Sequence, residues 1–233
     1  MNNINLQHEM LEHVARALGE ELLNKAVFVG GCTTGLLVTD DYTKENIRYT
    51  DDVDLVVDII GYVAWANLQN TLRENGFSDP MDLDDGVICR MLLGELQVDF
   101  MPIDEDTLGF GNRWYEDSVA TAEDFQLTDD IKIKLIKPEY FIATKLEAYF
   151  NRGNNDLLSS RDIEDILNIF DGRETISQEI KTAPINLQNY ISEKLGGLIE
   201  EYDFELAVQS TAKGDNQREG IIFARLEECT NNE

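Results

Sequence analysis

Apolar residues return at every fourth position near the start of the chain, at Leu6, Met10, Val14, Leu18 and Leu22. That spacing lines them along one side of an amphipathic helix of about five turns. The period then changes. Val27-Phe28-Val29 is a short unbroken apolar run, as a buried strand requires. Gly30-Gly31 punctuates it before Cys32 to Val38 returns to a helix-compatible pattern. Thr39 to Thr50 is polar and reads as a loop. Next, Asp52-Val53-Asp54-Leu55-Val56-Val57 alternates carboxylates with β-branched and apolar side chains, which predicts a strand with acids on one face and core residues on the other.

Further on, a helix is predicted around Val63 to Leu72. Ile88 to Leu93 and Leu96 to Phe100 are two strands joined by Gly94-Glu95, a hairpin that carries Asp99 near its exit. Ile131 to Ile136 alternates again as a strand. After Pro138, a residue suited to the first position of a helix, the pattern turns helical. Helices are expected at Pro138 to Phe150, Arg161 to Phe170, Ile176 to Lys181 and Ile185 to Tyr202, with a weak one at the end of the chain. Gly196-Gly197 is expected to interrupt the fourth of these. The expected fold class is therefore α/β, a mixed sheet flanked by helices over residues 1–137, followed by a helical domain over 138–233 that closes a cleft.

Composition narrows the picture. The chain has 233 residues, 42% of them hydrophobic and only four of them Pro, as expected for globular domains rather than low-complexity sequence. No apolar run approaches the roughly 18 residues that span a bilayer, so no membrane partner is expected and the expected location is the cytoplasm. Cys32, Cys89 and Cys229 are scattered and form no Cys-x-x-Cys pair, so they read as reduced thiols. With 46 acidic against 19 basic residues the formal net charge is -27. This opposes passive adhesion to nucleic acid and argues against a large RNA or DNA footprint. A nucleotide site remains compatible, because a few placed cations and a bound divalent metal invert the potential locally.

Candidate chemistry centres on the acids of the Asp52 strand. Two carboxylates separated by one strand residue lie on the same face, close enough to share one or two Mg²⁺ (or Mn²⁺) ions, and Asp99 on a neighbouring strand could complete the cage. Such a site suits in-line phosphoryl transfer. A diglycine after a strand lets bare backbone amides approach a phosphate, with Thr33 adding a hydroxyl. Arg48 is a candidate phosphate partner, though the many local acids compete for it. Lys145 shares a helical stripe with Phe141 and Ala148, so its stem crosses apolar surface on the way to a ligand. Asp162 reads either as a site residue or as an acid stabilised in the first turn of a helix capped by Ser160. Other chemistries lack their motifs: there is no Gly-x-Ser-x-Gly, and Asp52-x-Asp54-x-x-x-Asp58 lacks the Gly and terminal Glu of an EF-hand loop.

Phe28-Val29-Gly30-Gly31, then Arg48-x-Thr50-x-Asp52-Val53-Asp54-Leu55, then Val98-Asp99-Phe100 resembles the DNA polymerase beta type nucleotidyltransferase superfamily. Within it, the chain is similar to the AbiEii-like nucleotidyltransferases of abortive-infection and toxin–antitoxin systems. That closer likeness rests on Thr144-Lys145-Leu146-Glu147-Ala148, Arg152, Ser160-Arg161-Asp162-Ile163-Glu164-Asp165 and Asp171-Gly172-Arg173.

The resemblance implies a nucleotidyltransferase fold and transfer of a nucleoside monophosphate from an NTP to a hydroxyl acceptor. Transfer RNA is one candidate acceptor, a protein or small molecule another, and a cognate antitoxin a possible partner. It also implies that Asp52, Asp54 and Asp99 hold the metals, that Gly30 and Gly31 cradle the triphosphate, and that Lys145 contacts it. The alternative from another class is a catalytically silent protein that senses nucleotide or engages a partner.

Overall fold

The computed structural model describes residues 3–80, 88–151 and 156–230; Arg152, part of the resemblance, lies outside them. Two units are formed, one from Met1–Thr33 with Arg48–Lys137, the other from Thr34–Ile47 with Pro138–Glu233. In chain order the elements are α1 (Asn3–Leu23), β1 (Ala26–Val29), α2 (Thr34–Leu37), α3 (Asp41–Asn46), β2 (Asp52–Val57), α4 (Tyr62–Glu74), β3 (Arg90–Leu93), β4 (Leu96–Pro102), α5 (Glu105–Leu108), α6 (Tyr115–Thr121), β5 (Glu123–Gln126) and β6 (Lys132–Leu135). Helices α7 (Pro138–Asn151), α8 (Arg161–Gly172), α9 (Ile176–Thr182), α10 (Ile185–Ile199), α11 (Tyr202–Thr211) and α12 (Asn216–Thr230) follow.

The first unit is built on a mixed six-stranded sheet in the order β3-β4-β2-β1-β6-β5. β2 lies antiparallel to β1 and parallel to β4, and β1 is parallel to β6. α1 packs on β1, β2 and β6, α6 on β1 and β2, and α5 on β4. The apolar residues of β1 and the inward residues Val53, Leu55, Val98 and Phe100 are almost wholly buried, so burial of alternate positions anchors the acid-bearing strands. β3 and β4 join through Gly94-Glu95, where Gly94 has φ +64 and Leu93 pairs with Leu96. A two-residue hairpin of this kind needs a positive φ that glycine supplies without strain.

Pattern and structure part company in several places. α1 breaks at Gly19 (φ 69, ψ 167), although the four-residue apolar spacing runs through it. The stretch after Gly30 divides into a 3₁₀ turn, Gly31–Thr33, and the single turn α2. The expected loop from Thr39 contains α3, whose N-cap Asp40 accepts from the Thr43 amide. β5 has no apolar alternation. It is an edge strand with exposed Glu123 and Asp124, which pair with Lys137 and Lys134, and charge on an edge discourages further strand pairing.

In the helical unit, α8 packs against α7, α11, α12 and α3. Ser160 caps it by accepting from the Ile163 amide. Gly196-Gly197 does not interrupt α10, which continues through both. The segment Thr34–Ile47 is clasped by the end of α8. Gly172 accepts from the Thr39 and Asp40 amides, each at 2.9 Å. A Cβ on Gly172 would meet Thr43 at 2.8 Å. Arg173 donates to the Leu37 carbonyl at 2.6 Å and reaches Glu179 at 2.6 and 2.7 Å.

Candidate metal centre

The strand register assembles the centre. Asp54 on β2 is flanked in the sheet by Val29 of β1 and by Asp99 of β4, and Asp52 lies two positions before it opposite Gln97. Neighbouring strands stand about 4.8 Å apart and alternate side chains share a face, so the three carboxylates converge. Each offers an oxygen, and these oxygens all lie within 4.8 Å of one another. Asp52 and Asp54 are half-buried and Asp99 is buried. Asp51 and Asp58, at either end of the strand, are exposed and are not part of the group.

Gly30 fits against this cluster in a way no other residue could. Its φ is +72, and a Cβ there would lie 2.6 Å from the Asp54 Cγ and closer still to Oδ2. Bare backbone is therefore laid directly on the Asp54 carboxylate. Thr33 closes the turn by donating its hydroxyl to the Gly30 carbonyl at 2.8 Å and its amide to the same oxygen at 3.1 Å. Its hydroxyl thus serves the turn in this state. Gly31 is buried in the same turn.

Arg90 is the site residue that the sequence reading missed. It stands opposite Asp99 in the β3–β4 hairpin and grips it bidentately, Nε to Oδ1 at 2.7 Å and Nη2 to Oδ2 at 2.8 Å. The pair holds the guanidinium's pKa above its ordinary value, chiefly through the hydrogen bond to Asp99 and against the penalty of burial. A signal was present: counting back from the two-residue turn at Gly94-Glu95 sets Arg90 opposite Asp99. A carboxylate has about four lone-pair directions, so the arginine fork leaves Asp99 able to face a cation as well.

Nearby thiols register the concentration of negative charge. Burial above all pushes Cys32 up to about 12, and Asp54 and Asp52 add to the shift while Arg48 opposes it. Cys89 is likewise raised to about 12, by burial first and then by Asp99 and Asp54. Arg48 thus belongs to the electrostatic surroundings of the cluster, and its carbonyl accepts from Gln7 Nε2 at 2.9 Å.

Lys145 and Asp162 are found together in the helical unit. The Lys145 ammonium lies 3.2 Å from Asp162 and 2.7 Å from Asp165, and all three side chains are largely or wholly buried. Asp165 is the partner that sequence reasoning did not assign. An i, i+3 step on α8 sets it beside Asp162.

The donor set suits a hard divalent cation. Mg²⁺ takes oxygen ligands and is commonly held by one or two carboxylates with substrate phosphates completing the shell, and three carboxylates this close repel one another unless positive charge lies among them. No protein-family model matches the chain, and no curated protein matches it.

Proposed function

We infer that the protein is a divalent-metal-dependent nucleotidyltransferase of the DNA polymerase beta type, similar to the AbiEii-like enzymes, which passes a nucleoside monophosphate from an NTP to a hydroxyl acceptor and releases pyrophosphate. The observation that carries this reading is the convergence of Asp52, Asp54 and Asp99, with oxygens within 4.8 Å of one another, beside the bare backbone of Gly30. Rigid strands hold two of these acids in one register row, which favours preorganised chemistry over a casual acidic surface.

Asp52, Asp54 and Asp99 would hold Mg²⁺ or Mn²⁺. When bound, such ions neutralise triphosphate charge and help activate an attacking hydroxyl. Arg90 orients Asp99 through its two hydrogen bonds, and Asp99 receives the acceptor's proton on a carboxylate oxygen. Gly30 and Gly31 would bring bare main chain up to the metal-held triphosphate, Gly30 doing so while it lies against the Asp54 carboxylate. Arg48 supplies a planar cation to phosphate oxygens. For Lys145 to reach a phosphate, that phosphate must compete with Asp162 and Asp165 for the ammonium.

Purified protein incubated with each α-labelled NTP, Mg²⁺ and whole-cell lysate is expected to label one acceptor, whose chemical class (RNA, protein or small molecule) is read from its sensitivity to nuclease or protease. Asp52→Ala should reduce labelling to background while the circular dichroism spectrum is unchanged. Undiminished labelling by a folded Asp52→Ala protein overturns the assignment.

A further inference from the structure

Among the described residues the most exposed large apolar side chains are Val63, Tyr62, Tyr202 and Ile60, at 75, 74, 71 and 70%. Three of these four fall within residues 60–63, where the chain leaves β2 and enters α4. Single exposed apolar residues are ordinary, whereas a run of them marks a contact surface. Folding gives no reason for this run. Tyr62 and Val63 open α4, whose buried side is supplied instead by Trp65, Leu68 and Leu72. The first turn of a helix favours acids, yet none of the chain's 46 acidic residues is placed in this one. A local preference set aside without gain to the fold points to function.

The charges beside the run select its occupant. Asp58 lies two residues before Ile60, and α5 is tied to the same turn through Thr107, whose hydroxyl accepts from the Gly61 amide at 2.7 Å. Asp58 and the α5 residues Glu105 and Asp106 are exposed, and no Lys or Arg occurs in residues 58–72 or 103–112. A second copy docked patch to patch would set these acids against themselves, between chains that each carry a net charge of -27. Nucleic acid and anionic bilayers are repelled by the same charges, and a cationic polypeptide is attracted. Three adjacent side chains are far short of the roughly 800 Å² that each partner buries in a standard interface, so they fit a short segment rather than a domain face.

We propose that residues 60–63 dock a short basic segment of a partner protein, its apolar side chains lying on Ile60, Tyr62 and Val63 and its Lys or Arg side chains facing Asp58, Glu105 and Asp106. Asp52 opens β2 and Ile60 lies beyond its other end, so the surface is separate from the metal centre and does not depend on the nucleotidyltransferase reading.

The test is to pan a phage-displayed library of short random peptides against the immobilised full chain. Enrichment of sequences that combine Lys or Arg with apolar residues is expected, and the enriched peptide, made synthetically, should shift the amide resonances of Tyr62 and Val63 saturably. Tyr62→Ser with Val63→Ser, both at exposed positions, should weaken its binding about tenfold or more. Asp58→Lys with Asp106→Lys should weaken it severalfold. The proposal is overturned if no peptide is enriched, if the enriched peptides are acidic or uncharged, or if the two folded double variants bind them as the unaltered protein does. It is overturned equally by a dimer in sedimentation that Tyr62→Ser with Val63→Ser dissociates, which assigns the surface to a second copy. Binding to phosphatidylglycerol vesicles that the same variant abolishes assigns it to a membrane, against the proposal. Each of these results leaves the nucleotidyltransferase reading standing.

Discussion

Gly30 and Asp54 constrain each other. A side chain at residue 30 faces two separate penalties, since its φ of +72 disfavours any L-residue and its Cβ would intrude on the Asp54 carboxylate. The backbone penalty alone is about 1–2 kcal/mol. Gly30→Ala should therefore lower stability by at least about 2 kcal/mol in urea unfolding, and should weaken Mn²⁺ binding because Asp54 has to move aside. Mn²⁺ affinity equal to that of the unaltered protein would show that Asp54 does not ligate. Asp52 and Asp54 were readable as a same-face pair because strand periodicity is two; the parallel β2–β4 register that sets Asp99 beside Asp54 has no local signal, and a count along the hairpin fixes only what stands opposite Asp99 in β3. Arg90 was readable by the same count, yet a lone arginine in a strand looks like a solvated residue until Asp99 is placed opposite it. The pairing of Lys145 with Asp162 and Asp165 depends on how α7 packs on α8, which no local pattern records.

At the scale of elements, strong periodicity was a good guide to existence and a poor one to interruption. Four-residue spacing carried across Gly19, where the backbone leaves the helix, because the apolar stripe resumes on the far side. Gly196-Gly197 suggested a break that α10 does not make, since burial of Tyr190, Ile191, Leu195 and Leu198 outweighs about 1 kcal/mol of unfavourable propensity per glycine. Helical glycine there is a measurable burden. Gly197 is exposed, and a Cβ on it would meet nothing within 4 Å. Gly197→Ala should raise the free energy of unfolding by about 0.5–1 kcal/mol, measured by chemical denaturation; a loss of stability would mean that the helix needs glycine there. α3 and β5 escaped notice for the opposite reason. One is short and capped by Asp40, the other is a charged edge, and neither carries an apolar rhythm.

For the whole molecule, net charge is where added salt acts most strongly. Exposed pairs such as Arg16 with Asp130 and Arg73 with Asp79 lose strength on screening, but each is worth only about 0–1 kcal/mol. Repulsion within a net charge of -27 is spread over the entire surface, and it is screened too, over a Debye length of about 10 Å at 0.1 M. Repulsion should win, so raising NaCl from about 0.05 to about 0.5 M should increase Tm by several degrees in calorimetry. A decrease would mean that the ion pairs prevail. The helical nature of the chain beyond Pro138 was plain from its pattern, whereas the membership of Thr34–Ile47 in that unit was not. Asp171-Gly172-Arg173 drew notice as a motif, and only the folded chain reveals it as the clasp for this segment. The order of synthesis makes that clasp a matter of timing. As the ribosome extrudes the chain, Leu37, Thr39 and Asp40 emerge long before Gly172 and Arg173, which supply their hydrogen bonds. A gene truncated after the codon for Lys137 would leave Leu37, Thr39 and Asp40 without Gly172 and Arg173 for good, and water would have to take the place of those hydrogen bonds.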